Sequence, residues 1–209
     1  MRDCIFLLAD KNMEAVFTGF LTREKFYLSL GISKFNFDPK QDIIVDESGN
    51  YPGIYTRGHE LIRSYQTTHK YAVIVLDNAW DGSPGVKKIE TNITNNLIQT
   101  GWNKNQIVVI VINPELEAWI LQDNPHVAES FRYKNESTSL KEWLILKGLW
   151  DKNKPKSDDP KKAIEVILKF TKTPRSSAIY QKIASKISVK GCQDLAFKKL
   201  VDYLKFWFP

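Results

Sequence analysis

The chain has 209 residues, 43% of them hydrophobic and 12% aromatic, which is enough apolar material for a substantial core in one domain or a domain with a sizeable appendage. Its net charge is +6 and its pI about 9.1, while no apolar run approaches the roughly 20 residues of a membrane-spanning helix. The start, MRDCIFLLADKN, has too short an apolar part and too early an acid for a secretory signal. Cys4 and Cys192 lie far apart without metal-ligand spacing, so a reduced, cytoplasmic protein with no membrane contact is expected.

CIFLLA (4–9) is a continuous apolar run of strand length. After ADKN, residues 13–30 have helical spacing: Met13, Val16, Phe17, Phe20, Leu21, Phe26, Leu28 and Leu30 share one broad face, and Gly31 stops the helix. DIIVDESGNYPGIYT (42–56) reads as a hairpin around a Glu-Ser-Gly-Asn turn, with Pro52 placing the second arm at an edge. A short helix is expected over 58–69, a second buried strand over YAVIVLD (71–77), and a loop over DNAWDGSPG. Residues 86–102 read as a helix ending near Gly101, IVVIVIN (107–113) as a third buried strand, and PELEAWILQ (114–122) as a helix with Pro114 in its first turn.

Beyond Phe131 no strong strand pattern follows, only amphipathic helical stretches joined by the polar linker KNKPKSDDP. The aromatic stripe Phe197, Tyr203, Phe206, Trp207 and Phe208 is expected to be core rather than a base-stacking surface. Strands that do not alternate imply a parallel sheet covered on both faces. The fold class is therefore α/β: a Rossmann-like, largely parallel sheet flanked by helices over 1–131, with an α-helical C-terminal appendage over 132–209. Charge divides at the same place. Residues 1–131 carry 12 Lys and Arg against 16 Asp and Glu, a net of −4, and residues 132–209 carry 18 against 8, a net of +10. An acidic front and a basic back suit a metal-binding core with a polyanion-binding tail, although Lys-rich helix faces are also simply solvated.

Acidic pairs stand beyond each of the three predicted strands: Asp10 and Glu14, Asp77 and Asp81, Glu115 and Glu117. In an open α/β sheet, ligands collect outside the carboxyl ends of the strands. Carboxylates gathered there repel one another unless a hard cation neutralises them, so Asp10, Asp77, Asp81 and Glu117 are the candidate ligands of Mg²⁺, with Mn²⁺ as the alternative ion. The bland reading of each is a helix cap or a turn: Glu14 suits a helix dipole, and Asp81 suits a tight Gly82-Ser83-Pro84-Gly85 loop. At i and i+2 on one helix, Glu115 and Glu117 would face opposite ways, one toward the site and one toward solvent or a basic partner. His59, His69 and His126 have no zinc-like spacing, and neither a Walker A motif nor GxGxxG occurs.

The strand-then-acid start, the Asp-ending middle strand and the Pro-Glu-x-Glu-Ala-Trp segment together resemble the Toprim-related DUF4276 proteins, over residues 4–122 and on into the tail through PRSSAIYQKIASKI. The resemblance implies a Toprim-like sheet and Mg²⁺-dependent chemistry on phosphodiesters, in bacterial loci of phage defence or mobile elements. It sets Asp10 at the family's first acid, Glu14 at the second acid of its Glu-Gly-x-x-Glu pattern, Asp77 at the first Asp of Asp-x-Asp, and Glu117 in its Glu-Ala-Trp segment. Three departures stand out: Asp10 replaces the usual Glu, Lys11 occupies the usual Gly position, and Asp77-Asn78-Ala79 replaces Asp-x-Asp, with Asp81 as a displaced partner.

These readings lead to a metal-dependent nuclease with Asp10, Glu14 and Asp77 as catalytic residues, acting on DNA or RNA. Lys161, Lys162, Lys169, Arg175, Lys182, Lys198 and Lys199 would hold the phosphate backbone. The rival reading is a weak or inactive Toprim-like regulatory subunit working with another protein such as an ATPase, supported by Lys11 and the broken Asp-x-Asp. A small-molecule phosphotransferase is a third class.

Overall fold

The computed structural model describes residues 1–46, 51–135, 137–190 and 192–209. In chain order it contains β1 (Arg2–Leu8), α1 (Lys11–Leu21), α2 (Phe26–Leu30), α3 (Pro39–Asp42), β2 (Ile43–Val45), α4 (Tyr51–Leu61), β3 (His69–Asp77), α5 (Val86–Gln99) and β4 (Ile107–Ile112). Helices α6 (Glu117–Ile120), α7 (Pro125–Ser130), α8 (Leu140–Leu146), α9 (Pro160–Phe170), α10 (Ser177–Lys186) and α11 (Leu195–Trp207) follow.

The strands form one all-parallel sheet in the order β2-β1-β3-β4. Ile5 to Leu8 in β1 and Ala72 to Leu76 in β3 are 0% exposed, as strands covered on both faces must be. From β1 the chain steps outward to β2, then returns past β1 to form β3 on the other side. That reversal places a topological switch at the β1–β3 boundary, where a crevice opens beyond the carboxyl ends of the strands. Leu8 pairs with both Val45 and Val75, and Asp77 with Ile112, so the carboxyl ends of all four strands lie along one edge.

The expected α/β class is what the structure shows, with corrections in detail. The predicted hairpin is absent: its first arm is β2, which pairs parallel with β1, and its second arm is the start of α4. The Glu47–Asn50 turn of that hairpin lies outside the described residues. Proline is tolerated in a helix's first turn, so Pro52 suits the second position of α4. The helix expected over 58–69 is the end of α4 followed by a 3₁₀ turn, Arg63–Thr67. The helix expected over 13–30 is two, α1 and α2, and Gly31 ends the second in a left-handed conformation, φ 68°. Pro114 stands before α6 rather than in it, on a cis Asn113–Pro114 bond.

The tail is built into the body of the protein, and one hydrophobic core runs through both. Trp207 stacks on Tyr71 of β3 with ring centroids 4.5 Å apart, and its indole N–H donates to the Asn105 carbonyl at 2.8 Å. Phe197 and Trp207 are buried, and Tyr203 and Phe208 partly so, which bears out the core reading of the aromatic stripe; Phe206 is exposed.

Helix α10 lies so close to α1 that a Cβ at Gly19 would sit 2.4 Å from the Gln181 carbonyl oxygen. Alanine is the better helix former by about 1 kcal/mol, but that contact is with backbone and cannot be relieved by turning a side chain. Gly19→Ala is therefore expected to lower the unfolding free energy by about 1–3 kcal/mol, the usual cost of overpacking. A denaturant melt in which the variant matches or exceeds the wild type would show that the two helices separate freely.

Candidate functional site

At the carboxyl edge each strand is followed by an acid: Asp10 after β1, Asp46 after β2, Asp77 at the end of β3, and Glu115 and Glu117 after β4. Asp10 divides its carboxylate between two tasks. Oδ1 caps α1, accepting the N–H groups of Asn12 at 2.8 Å and Met13 at 2.9 Å. Oδ2 is left for the crevice, where it lies 2.9 Å from the Tyr51 hydroxyl. That same hydroxyl is 2.9 Å from Asp77 Oδ2. The two carboxylate oxygens therefore lie within twice that distance of each other, bridged by one phenol from the first turn of α4.

A single hydroxyl has one proton to give. Both contacts are hydrogen bonds only if one acid supplies a proton of its own, and Asp77 is the better candidate. It is 2% exposed, and burial pushes its pKa well up. The Tyr51 hydrogen bond works against that rise, while the charges of Glu117, Asp10 and Glu115 add to it. Burial and the Asp77 and Asp10 charges likewise push the Tyr51 phenol far up, so it keeps its proton. The other oxygen of Asp77, Oδ1, is buried and has no hydrogen-bond partner among the described residues.

Of the two expected outward directions for one of Glu115 and Glu117, solvent or a basic partner, neither residue takes the first and both have the second. The helix begins at Glu117, so Glu115 lies in the preceding loop and both are buried, 7% and 5% exposed. Glu117 accepts from the Tyr180 hydroxyl at 2.8 Å and faces Arg175 Nη2 at 3.5 Å. Glu115 lies 3.6 Å from Lys161, and its pKa is raised by burial and by Glu117, against the pull of Lys161. Asp46 pairs with Arg57 at 3.3 Å. Asp81 is exposed in the loop after β3, and Glu14 is partly buried in the first turn of α1. Among the described residues, no group of three or more His, Cys, Asp or Glu side chains is placed to hold a metal ion. What the fold brings together is a bridged pair, Asp10 and Asp77, with Glu115 and Glu117 close enough to bear on the charge of Asp77.

Much of the charge asymmetry is satisfied inside the molecule. Lys161 meets Glu115, Arg175 meets Glu117, Lys182 meets Glu129 at 3.2 Å, and Lys199 meets Glu90 at 2.8 Å. Basic side chains of the tail thus neutralise acids of the front half. Lys162, Lys169 and Lys198 are exposed. Cys4 is buried and Cys192 partly buried, both as free thiols.

Sequence reasoning passed over Tyr51, Tyr180, Asp46 and Trp80. Asp46 had a usable signal, since IIVD has the same strand-then-acid form as YAVIVLD. The tyrosines had none, because Tyr51 is 41 residues from Asp10 and Tyr180 is 63 from Glu117. Among the described residues no helix is long and apolar enough to cross a membrane. Compared with protein-family models, curated proteins and solved structures, the chain matches none.

Proposed function

We propose that this chain is a Mg²⁺-dependent nuclease, and that its resemblance to the Toprim-related DUF4276 proteins reflects shared phosphodiester chemistry. The observation that carries the reading is the acid pair. Two carboxylates from neighbouring strand ends converge on one hydroxyl, and a buried oxygen of one of them has no partner among the described residues. Mg²⁺ is usually held by one or two carboxylates, with water and substrate phosphate oxygens completing its shell. Asp10 and Asp77 fit that donor set, and fit Mn²⁺ equally. A bound cation would polarise the phosphodiester and lower the pKa of a coordinated water.

The chain's own residues have separate tasks in this scheme. Asp10 is oriented by the cap of α1, so its free oxygen is fixed. Glu14, one turn into the same helix, is the proposed base for water. Glu117 is held by Tyr180 and adds negative charge near Asp77. The exposed Lys162, Lys169 and Lys198 would contact the phosphate backbone, joined by Lys182 and Lys199 as their ion pairs with Glu129 and Glu90 exchange for phosphate; Lys161 and Arg175, which pair with the buried Glu115 and Glu117, would reach it with the donors those pairs leave over.

One observation favours the rival reading, a non-enzymatic subunit acting with a partner protein: the Tyr51 hydroxyl already sits between the two acids. The two readings part on metal binding by the wild type. On the nuclease reading, wild type binds Mg²⁺ or Mn²⁺ near millimolar concentration in calorimetry and nicks DNA or RNA, and Asp10→Asn or chelation stops the cutting. On the rival reading wild type binds no metal, and Tyr51→Phe gains binding because the bridging hydroxyl is gone. Equal degradation of nucleic acid by wild type and Asp10→Asn would end the nuclease proposal.

A further inference from the structure

Five of the six tryptophans, Trp102, Trp119, Trp143, Trp150 and Trp207, are buried. Trp80 alone is partly exposed. It lies in the loop after β3, three residues beyond Asp77. Its ring is stacked on Tyr51, with centroids 6.1 Å apart and planes 21° from parallel, and it also meets Tyr55 at 6.3 Å. Tyr51 is the residue whose hydroxyl bridges the acid pair, so the indole sits one ring away from the proposed chemistry.

The loop holds Trp80 in place. The Asn78 N–H donates to the Ile112 carbonyl at 2.8 Å and the Ala79 N–H to the Pro114 carbonyl at 3.0 Å. The Ser83 N–H donates to the Trp80 carbonyl at 3.1 Å, and the Ser83 hydroxyl to Asn78 Oδ1 at 2.9 Å. Trp80 packs against the core but, unlike the other five tryptophans, is left partly exposed. A partly exposed indole, stacked on one side and fixed by its loop, offers a flat apolar surface beside an acid pair. Lys87 and Lys88, in the first turn of the helix that this loop enters, are exposed and have no ion pair among the described residues.

A flat apolar surface, two cations and a candidate phosphodiester site describe a ligand with planar groups joined by anions. In a duplex the bases are stacked on one another and unavailable, whereas an unpaired base can lie on an aromatic ring. We propose that Trp80 is a stacking platform for an unpaired nucleobase beside the reacting phosphate, so that the substrate is a single strand. The placement of the phosphate rests on the nuclease reading; the platform itself does not.

The test is binding in the presence of chelator, where no cutting occurs. A dye-labelled short oligothymidylate or oligouridylate, the same strand annealed to its complement, and thymidine monophosphate are titrated, following both anisotropy and tryptophan emission. The single strand is expected to quench the emission of wild type. Trp80→Leu should bind it about tenfold or more weakly and lose the quench, with binding measured well below its melting temperature, which the lost packing on Tyr51 and Tyr55 lowers. Trp80→Phe, which keeps a ring against Tyr51, should retain affinity within a few-fold. The inference is overturned if Trp80→Leu binds the single strand as wild type does, or if the duplex or the monophosphate binds as tightly as the single strand. Cleavage assayed in parallel separates the two ideas. A chain that cuts but fails the Trp80 test loses only the platform, and a chain that passes it without ever cutting loses only the nuclease reading.

Discussion

Asp77→Asn is expected to be more stable than the wild type at neutral and mildly alkaline pH, and to be inactive. The stability follows from where the proton sits. In the unfolded chain Asp77 ionises near its ordinary value of 3.8, whereas in the folded chain burial, and then the charges of Glu117, Asp10 and Glu115, hold the proton to well above that pH, despite the Tyr51 hydrogen bond. Between those two values the folded state binds more protons than the unfolded state, so stability falls as pH rises through the window. Asparagine does not titrate, and the variant loses that dependence. Its advantage should be absent below the ordinary carboxylate range and should grow toward neutral pH, reaching about 0.5–2 kcal/mol, the usual gain from relieving one unfavourable site. In a domain of this size each kcal/mol moves the melting temperature by about 2–4 °C. Activity should fall by more than the roughly 10–100-fold that changes just outside a metal's ligand shell cost. Melts of both proteins across pH, with cleavage measured on the same preparations, check both halves. A variant less stable than wild type at every pH would mean that Asp77 is satisfied in the fold and is not held there at a cost.

The acid pair was legible in the sequence because both of its members end apolar runs too short for helices and too continuous for half-exposed strands. Burial on both faces of a parallel sheet produces that pattern, and a parallel sheet in turn sets the strand-end acids along one edge. β2 was misread for the converse reason. Three residues, Ile43–Val45, carry too little pattern to distinguish a parallel edge strand from one arm of a hairpin, and what settles the matter is pairing with β1, 37 residues away in register at Phe6 and Ile43. Glu115 and Glu117 were judged as i and i+2 on one helix, which fails because the helix starts only at Glu117. The bridging Tyr51 was invisible because nothing local distinguishes a tyrosine that reaches two strand ends from one that lines a hairpin. The basic tail was read as a surface for an outside polyanion, yet several of its cations meet acids of the front half, a complementarity that composition cannot separate from affinity for phosphate.

Asp42 gives the opposite expectation on the opposite edge of the same sheet. It is 0% exposed, more deeply buried than Asp77, and donors surround it. Arg2 gives its carboxylate two N–H groups, through Nε and, at 2.7 Å, through Nη2. The Asp38 N–H donates at 2.7 Å, and His69 Nε2 lies 3.2 Å away, with its Nδ1 against the Thr68 hydroxyl at 2.9 Å. Arg2 and His69 open β1 and β3 and are partners in register, so this one carboxylate ties two strand starts to α3. Removing one member of a buried charge pair leaves the rest uncompensated, which costs about 3–5 kcal/mol. Arg2 still reaches water, at 31% side-chain exposure, so Asp42→Ala should fall near the lower end of that range. Asp42→Asn, which keeps one acceptor oxygen, should lose less. Binding of metal and single strands, measured well below the variant's melting temperature, should be unchanged, because among the described residues no contact of Asp42 reaches the carboxyl edge. A loss of binding in folded Asp42→Ala would show that the two edges are coupled through the strands. Both aspartates are buried in one sheet; the difference in sign comes from the donors, which meet both carboxylate oxygens of Asp42 and, among the described residues, leave Asp77 one shared hydroxyl and an oxygen facing none.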